Sequence, residues 1–230
     1  MKSIKELLIL VLIFISFTYV DAQQNENFIY TPNKVFIFEA NYDSCGVRTK
    51  NYIVMRILPE KTGKEYFIRY DYYSALPDYN HLDSLSSIDS SGFIETTTVL
   101  ETSKYLFLHP PRVQYDRLTQ YFPFPEVDFP IKVGKRYKRG FLSINDPKCN
   151  CLFWIKYKMY IDFYTQVKFK NKLIDVARIY GDGKNKTGFY SVLNLFSKEY
   201  GFVKMKYSIS DSTTLEINLI EVIDKNEIVK

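Results

Sequence analysis

The chain is poor in the residues that carry most recognisable chemistry. Its 230 residues include two histidines, His81 and His109, one tryptophan and three cysteines. No G-x-S-x-G, H-E-x-x-H, P-loop or dinucleotide glycine fingerprint occurs, so a nucleophile elbow, a zincin centre and a nucleotide cradle have no support in the sequence. A Ser-His-Asp arrangement is recognised by geometry and stays open, with few histidines to serve it. Zinc needs four N or S ligands, and no paired Cys or His spacing elsewhere completes the "CNC" of Cys149 to Cys151. No metal and no cofactor are expected.

Long apolar runs are equally scarce. The one present, "LLILVLIFISF" from Leu7 to Phe17, follows Lys2 and Lys5 and leads into "TYVDAQQ", where Val20 and Ala22 fit a signal-peptidase site. It falls well short of the roughly 20 residues that span a bilayer. Residues 1–22 therefore read as a secretory signal, with an uncleaved N-terminal anchor as the alternative. Residues 23–230 read as one β-rich domain with no transmembrane span, delivered to the periplasm or cell surface. No cysteine at the cleavage point offers itself to a lipid. In an oxidising compartment a disulfide is expected, Cys45 with Cys149 or Cys151, because a Cys149–Cys151 ring is very small and strained. Free buried thiols are the other reading.

The net charge is +5 and survives removal of the signal, since Lys2 and Lys5 leave together with Glu6 and Asp21. Lys and Arg alternate with acids along the chain, and an exported protein meets little nucleic acid, so no nucleic-acid partner is expected. A solvated surface is the first reading of these charges. Attraction to anionic headgroups or glycans is the second.

Aromatics are abundant, 20 Tyr and 18 Phe, and they favour strands. In "CLFWIKYKMYIDFYTQVKF" the odd positions Phe153, Ile155, Tyr157, Met159, Ile161 and Phe163 are apolar, while Lys156, Lys158 and Asp162 take the other face. A strand this long requires a bend or bulge. Alternation recurs in "KVFIFEANY", "NYIVMRIL", "EYFIRYDYY", "GFIETTTVLETSKYLFLH", "GFVKMKYSI" and "TLEINLIEVI", separated by turn signals such as "PEKTGK", "KNK" and "GDGKNKTG". Helix is confined to a turn or two around "DYNHLDSL" and "RVQYDRLTQY". The pattern predicts a mainly β protein, an antiparallel curved sheet forming an incomplete barrel. Phe153, Tyr157 and Phe163 are candidates for its concave face, which either packs on itself or encloses an apolar ligand. The discriminating observation is a cavity: with the inner face filled by its own aromatics, a lipid held there fails.

One short stretch, "FLHPPR", gathers His109, two prolines and Arg112. Prolines lack the N–H a ladder needs, so the stretch ends a strand at the rim of the sheet. If the prolines impose a polyproline helix, His109 and Arg112 lie on one side, about 9 Å apart along the axis. In the functional reading they form an anion-binding pair, or His109 centres a hydrolase or lyase with Arg112 and an acid such as Asp116 or Glu126. In the structural reading Arg112 pairs with a nearby acid such as Asp116. Glu126 and Asp128 are the best local carboxylate pair, sharing a face if the segment is extended.

The segments "TQVKFKNKLIDVARIY", "GFYSVLNLFSKEYGFVKMKY" and "TLEINLIEV" resemble the DUF3108-type, LolA-like half-barrel proteins exported by Gram-negative bacteria. The element of that family before the last strand corresponds to Phe196, Ser197, Gly201, Phe202, Val203 and Lys204. The stretch "FLHPPR" with "FPFPEVDFPIKVGKRY" resembles a variant in secreted Bacteroidetes proteins. The resemblance spans the last two-thirds of the mature chain and carries no catalytic residues. It implies an incomplete barrel around an apolar interior and an envelope location; lipoprotein carriers of similar fold hold acyl chains in that interior, and a lipid or other apolar ligand is the first candidate partner. The alternative partner is an envelope protein that pairs with an open sheet edge.

Overall fold

The alternation written along the chain becomes a single antiparallel sheet. The computed structural model describes residues 28–78, 94–120, 122–146, 151–185, 188–209 and 213–225, with backbone alone at 116–117, 139–146, 151–155 and 185. The expected signal segment, His81 and Cys149 lie outside these residues. In chain order the elements are β1 (Lys34–Ser44), β2 (Val47–Thr62), β3 (Glu65–Tyr73), β4 (Ile94–Glu101), β5 (Tyr105–Leu108), α1 (Asp116–Thr119) and β6 (Glu126–Asp128). They continue with β7 (Arg136–Asp146), β8 (Cys151–Phe169), β9 (Lys172–Asn185), β10 (Gly188–Ser197), β11 (Gly201–Ile209) and β12 (Thr213–Asp224).

The sheet order is β6-β5-β4-β3-β2-β1-β12-β11-β10-β9-β8-β7. Each half is a meander of neighbouring hairpins, and the first strand pairs with the last at the centre of the sheet. The middle of the chain thus supplies both edges, joined by the short link 129–135, so the sheet has to curl until its edges approach. There the Tyr137 hydroxyl donates to the Glu126 carbonyl at 3.4 Å and the Tyr164 hydroxyl to the Ile131 carbonyl at 3.1 Å. No ladder joins β6 to β7 among the described residues. The result is a curved, unclosed barrel, as the periodicity predicts.

Period-two alternation fills the concave side. Phe36, Phe38 and Ala40 of β1, Ile53 and Met55 of β2, Tyr70 and Tyr72 of β3, and Met205, Tyr207, Leu215 and Ile217 of β11 and β12 are all buried there in one core. The strap Ile29–Tyr30 ties the two halves together at one end. Glu101 of β4 accepts both backbone N–H groups at 2.9 Å, and the Tyr30 hydroxyl accepts the Phe202 N–H of β11 at 3.1 Å.

Three expectations need correction. Phe163 is not on the concave face: a bulge between Ile161 and Phe163 sets Phe163 opposite Arg178 on the outer face, 41% exposed, because one inserted residue reverses the phase of all that follow. The turn signal "GDGKNKTG" is right in its second half alone: the chain reverses between Asn185 of β9 and Gly188 of β10, whereas Gly181 and Gly183 lie inside β9. Gly181 is needed for packing instead, as a Cβ there would lie 2.8 Å from Val192 Cγ1 and collide with Met159 Sδ. The single run "GFIETTTVLETSKYLFLH" is broken into β4 and β5 by Thr102, whose Oγ1 accepts the Tyr105 N–H at 3.0 Å while its N–H donates to the Tyr105 carbonyl at 2.8 Å.

Candidate functional site

The "HPPR" stretch is where the chain leaves the sheet and enters the barrel. Strand β5 ends at Leu108, and residues 109–125 then cross the concave side before returning to the edge as β6. A buried carboxylate fixes the start of the crossing. Glu95 lies on the inward side of β4 with Thr97 and Val99, all three buried. Its Oε2 accepts the backbone N–H of Arg112 at 2.7 Å, the N–H of Val113 at 3.1 Å and the Tyr72 hydroxyl at 2.8 Å. Its Oε1 accepts the Arg112 Nε–H at 3.0 Å. Tyr70 adds a hydroxyl donated to the His109 carbonyl at 2.7 Å. Burial first, and then the Glu95 charge, push the Tyr72 phenol well above its ordinary range.

Beyond Arg112 the segment places Tyr115 against Tyr42 and Tyr72, Leu118 in the core, and Phe122 edge-on to Tyr190 and Tyr207 at 4.9 and 5.5 Å. Phe122 is fully buried and closes the centre of the concave face. Among its described residues the crossing holds one helix, the four-residue α1. Gln114 sits at φ +72° with its side-chain carbonyl accepting from Asn51 Nδ2 at 3.1 Å. Where the segment meets the rim, Tyr42, Ser44, Gln114, Tyr115, Leu118, Ile209 and Thr213 line a recess of about 240 Å³.

The inward positions of β10 read Tyr190, Val192, Asn194, Phe196. Asn194 is fully buried, and neither its Oδ1 nor its Nδ2 has a hydrogen-bond partner among the described residues. Its cross-strand neighbours are Ile179 and Met205, so an unsatisfied amide sits in an apolar interior, at a cost of about 1–3 kcal/mol.

His109 and Arg112 are not brought together. The Arg112 guanidinium is on the concave side with Glu95 and Thr97, its Nη2 donating to Thr97 Oγ1 at 3.2 Å. The His109 ring turns to the other face between Phe107 and Phe124, with centroids at 4.9 and 5.1 Å, and its Nδ1 has no hydrogen-bond partner among the described residues. No carboxylate, serine or cysteine among the described residues bonds to the His109 ring. Glu126 accepts the Tyr105 hydroxyl at 2.6 Å and Asp128 pairs with Lys135 at 3.0 Å. The Asp116 and Phe153 side chains lie outside the description. Tyr157 is buried in the concave core. Cys45 is a free, exposed thiol in the β1–β2 turn. Cys151 opens β8 at the same end of the sheet, with β12, β11, β10 and β9 between β1 and β8.

Burial lowers the pKa of His109 to about 4, and the Arg112 charge adds to the effect. The unfolded chain titrates near 6.5, so between these values it binds a proton that the folded state refuses. Stability is full above pH 6.5 and falls by about 2–3 kcal/mol on the way down to pH 4.5. Urea unfolding at pH 7.5 and 4.5 is expected to show that loss in the wild type and a smaller one in His109→Phe. Equal losses in both would remove His109 as the cause.

No protein-family model and no curated protein sequence matches the chain. Solved structures do. A candidate lipoprotein from Parabacteroides distasonis superposes with a TM-score of 0.53 at 12% identity, covering 85% of this chain and 97% of that one. A candidate exported protein with a YmcC-like fold from Bacteroides fragilis gives 0.45 at 8% identity, covering 85% and 98%. The hypothetical lipoprotein YmcC from Escherichia coli gives 0.39 at 7% identity, covering 92% and 97%. The first of these matches shows that the curled sheet is a fold already seen in a bacterial protein.

Proposed function

We propose that this chain is an exported, non-enzymatic envelope protein of the LolA-like, DUF3108-type half-barrel group, which holds one apolar or amphiphilic chain on its concave face. Its fold neighbour from Parabacteroides distasonis is named a lipoprotein, which fits the envelope setting and the expected secretory signal. The observation that carries the binding reading is Asn194, a buried amide without a partner in an apolar interior. That interior is closed by an irregular segment rather than by strands. The centre is filled by Phe122, Tyr190 and Tyr207, so the expected lipid in a standing cavity fails and binding by displacement is the form of the reading that is left. The rim recess of about 240 Å³ is also smaller than the roughly 300–1,000 Å³ of ordinary ligand sites. An occupant therefore takes the place of Phe122. Segments with few ladder hydrogen bonds open at lower free energy than the strands around them, and the polar end of the occupant then reaches Asn194.

The test is titration with a fluorescent fatty acid. Phe122→Ala raises the apparent affinity about tenfold by weakening the closed state. Asn194→Leu stabilises the fold by about 1 kcal/mol through loss of an unsatisfied amide and lowers uptake. A second reading, pairing with another envelope protein, rests on β7, an 11-residue edge strand. A proline at Lys138 that abolishes association would favour it.

A further inference from the structure

We propose that the convex face of β7 to β10 docks onto an anionic phospholipid bilayer. Across the ladders Lys138 stands opposite Lys158, and Lys156 opposite Lys184. Like charges directly opposite one another destabilise a sheet, and here two such pairs occupy neighbouring rows. Arg136 adds a fifth cation to the same face, and Asp182, opposite Lys158, is the one carboxylate in these rows. Arg136, Lys138, Lys158 and Lys184 have no ion-pair partner among the described residues. On the other half of the sheet and on β11, comparable strand lysines meet acids, Lys50 with Glu39 at 2.5 Å and Lys204 with Glu216 at 2.7 Å. What marks this face is that its cations stand opposite one another across the ladders with one carboxylate among them.

Aromatic side chains are interleaved with these cations. Tyr160 and Tyr180 lie with centroids 5.3 Å apart, and the Arg136 guanidinium is 5.9 Å from the Tyr160 ring. Phe189 is 73% exposed, with the Lys184 ammonium 4.8 Å from its ring. Cations that meet lipid phosphates beside aromatics that enter the headgroup layer are the chemistry of a membrane surface. A broad charged lattice with an exposed Phe suits a bilayer better than an acidic glycan, which offers no apolar layer for Phe189. The proposal is independent of the interior binding reading, and fatty-acid uptake is expected to be unchanged in the surface variants.

The experiment is co-sedimentation of the protein purified after export with vesicles of phosphatidylglycerol and phosphatidylethanolamine, against vesicles of phosphatidylcholine. Binding to the anionic vesicles is expected at 50 mM NaCl and lost at 500 mM, with none to phosphatidylcholine. Each cation near an anionic surface contributes about fivefold, so Lys158→Glu with Lys184→Glu is expected to weaken binding more than about tenfold. The pair Lys61→Glu with Lys64→Glu, at the opposite side of the sheet, changes net charge equally and is expected to leave binding within about threefold. Phe189→Ala lowers binding while the salt dependence persists. The proposal is overturned if the wild type ignores anionic vesicles, binds phosphatidylcholine as well, or is weakened as much by the Lys61 and Lys64 changes as by those on the face. Thermal unfolding of each variant separates loss of docking from loss of fold.

Discussion

Gly201→Ala is expected to destabilise the protein by about 3–5 kcal/mol. Gly201 sits at φ +76°, and a Cβ there would lie 2.7 Å from Tyr30 Cζ, 3.2 Å from Ile29 Cγ2 and closer still to the Tyr30 hydroxyl. Tyr30 cannot yield, because its hydroxyl is bound to the Phe202 N–H and its backbone to Glu101. Left-handed strain alone accounts for about 1–2 kcal/mol. The rest comes from displacing a buried tyrosine and the strap that joins the two halves of the sheet. At about 2–4 °C per kcal/mol for a domain of this size, the melting temperature is expected to fall by roughly 10–15 °C. In a Tyr30→Ala background the same change keeps only the strain. An equal loss in both backgrounds would show that the strap contact is not the cause.

Glu95→Ala is expected to lower stability by about 3–4 kcal/mol. It leaves the Arg112 and Val113 N–H groups, the Tyr72 hydroxyl and the Arg112 guanidinium without their acceptor. Glu95→Gln keeps one acceptor oxygen and is expected to cost about half as much. The effect is local first. Hydrogen exchange of residues 110–125 is expected to accelerate more than exchange in β1 and β12, because Glu95 pins the crossing segment to the sheet. Acceleration spread evenly over the sheet would mean that Glu95 supports the core and not the crossing.

Most of the sheet was legible because burial on one face writes period two into the chain. The run "EYFIRYDYY" becomes β3 residue for residue, and "KVFIFEANY" lies wholly within β1. What alternation hides is a change of phase. Asp162 bulges out of β8 and carries Phe163 to the outside, yet the sequence around it alternates without a break. Gly181 looked like a turn residue, although its smallness serves Met159 and Val192. The candidate site was less legible. His109 and Arg112 stand out because a rare histidine and an arginine lie close in sequence, whereas the segment crosses from one face of the sheet to the other between them. Glu95 and Asn194 were missed although each leaves a readable mark, a polar residue in the inward phase of a strand, with Thr97 and Val99 in one case and Val192 and Phe196 in the other. The partners of Glu95 come from strands and turns distant in sequence, and only the fold brings them together.

The central claim is that the concave face accepts an apolar chain in place of Phe122, and the fluorescent fatty-acid titration measures this most directly. The account predicts saturable uptake of one probe per protein, tighter in Phe122→Ala and weaker in Asn194→Leu, with all three proteins folded at the titration temperature. No saturable uptake by folded wild type and Phe122→Ala would contradict it.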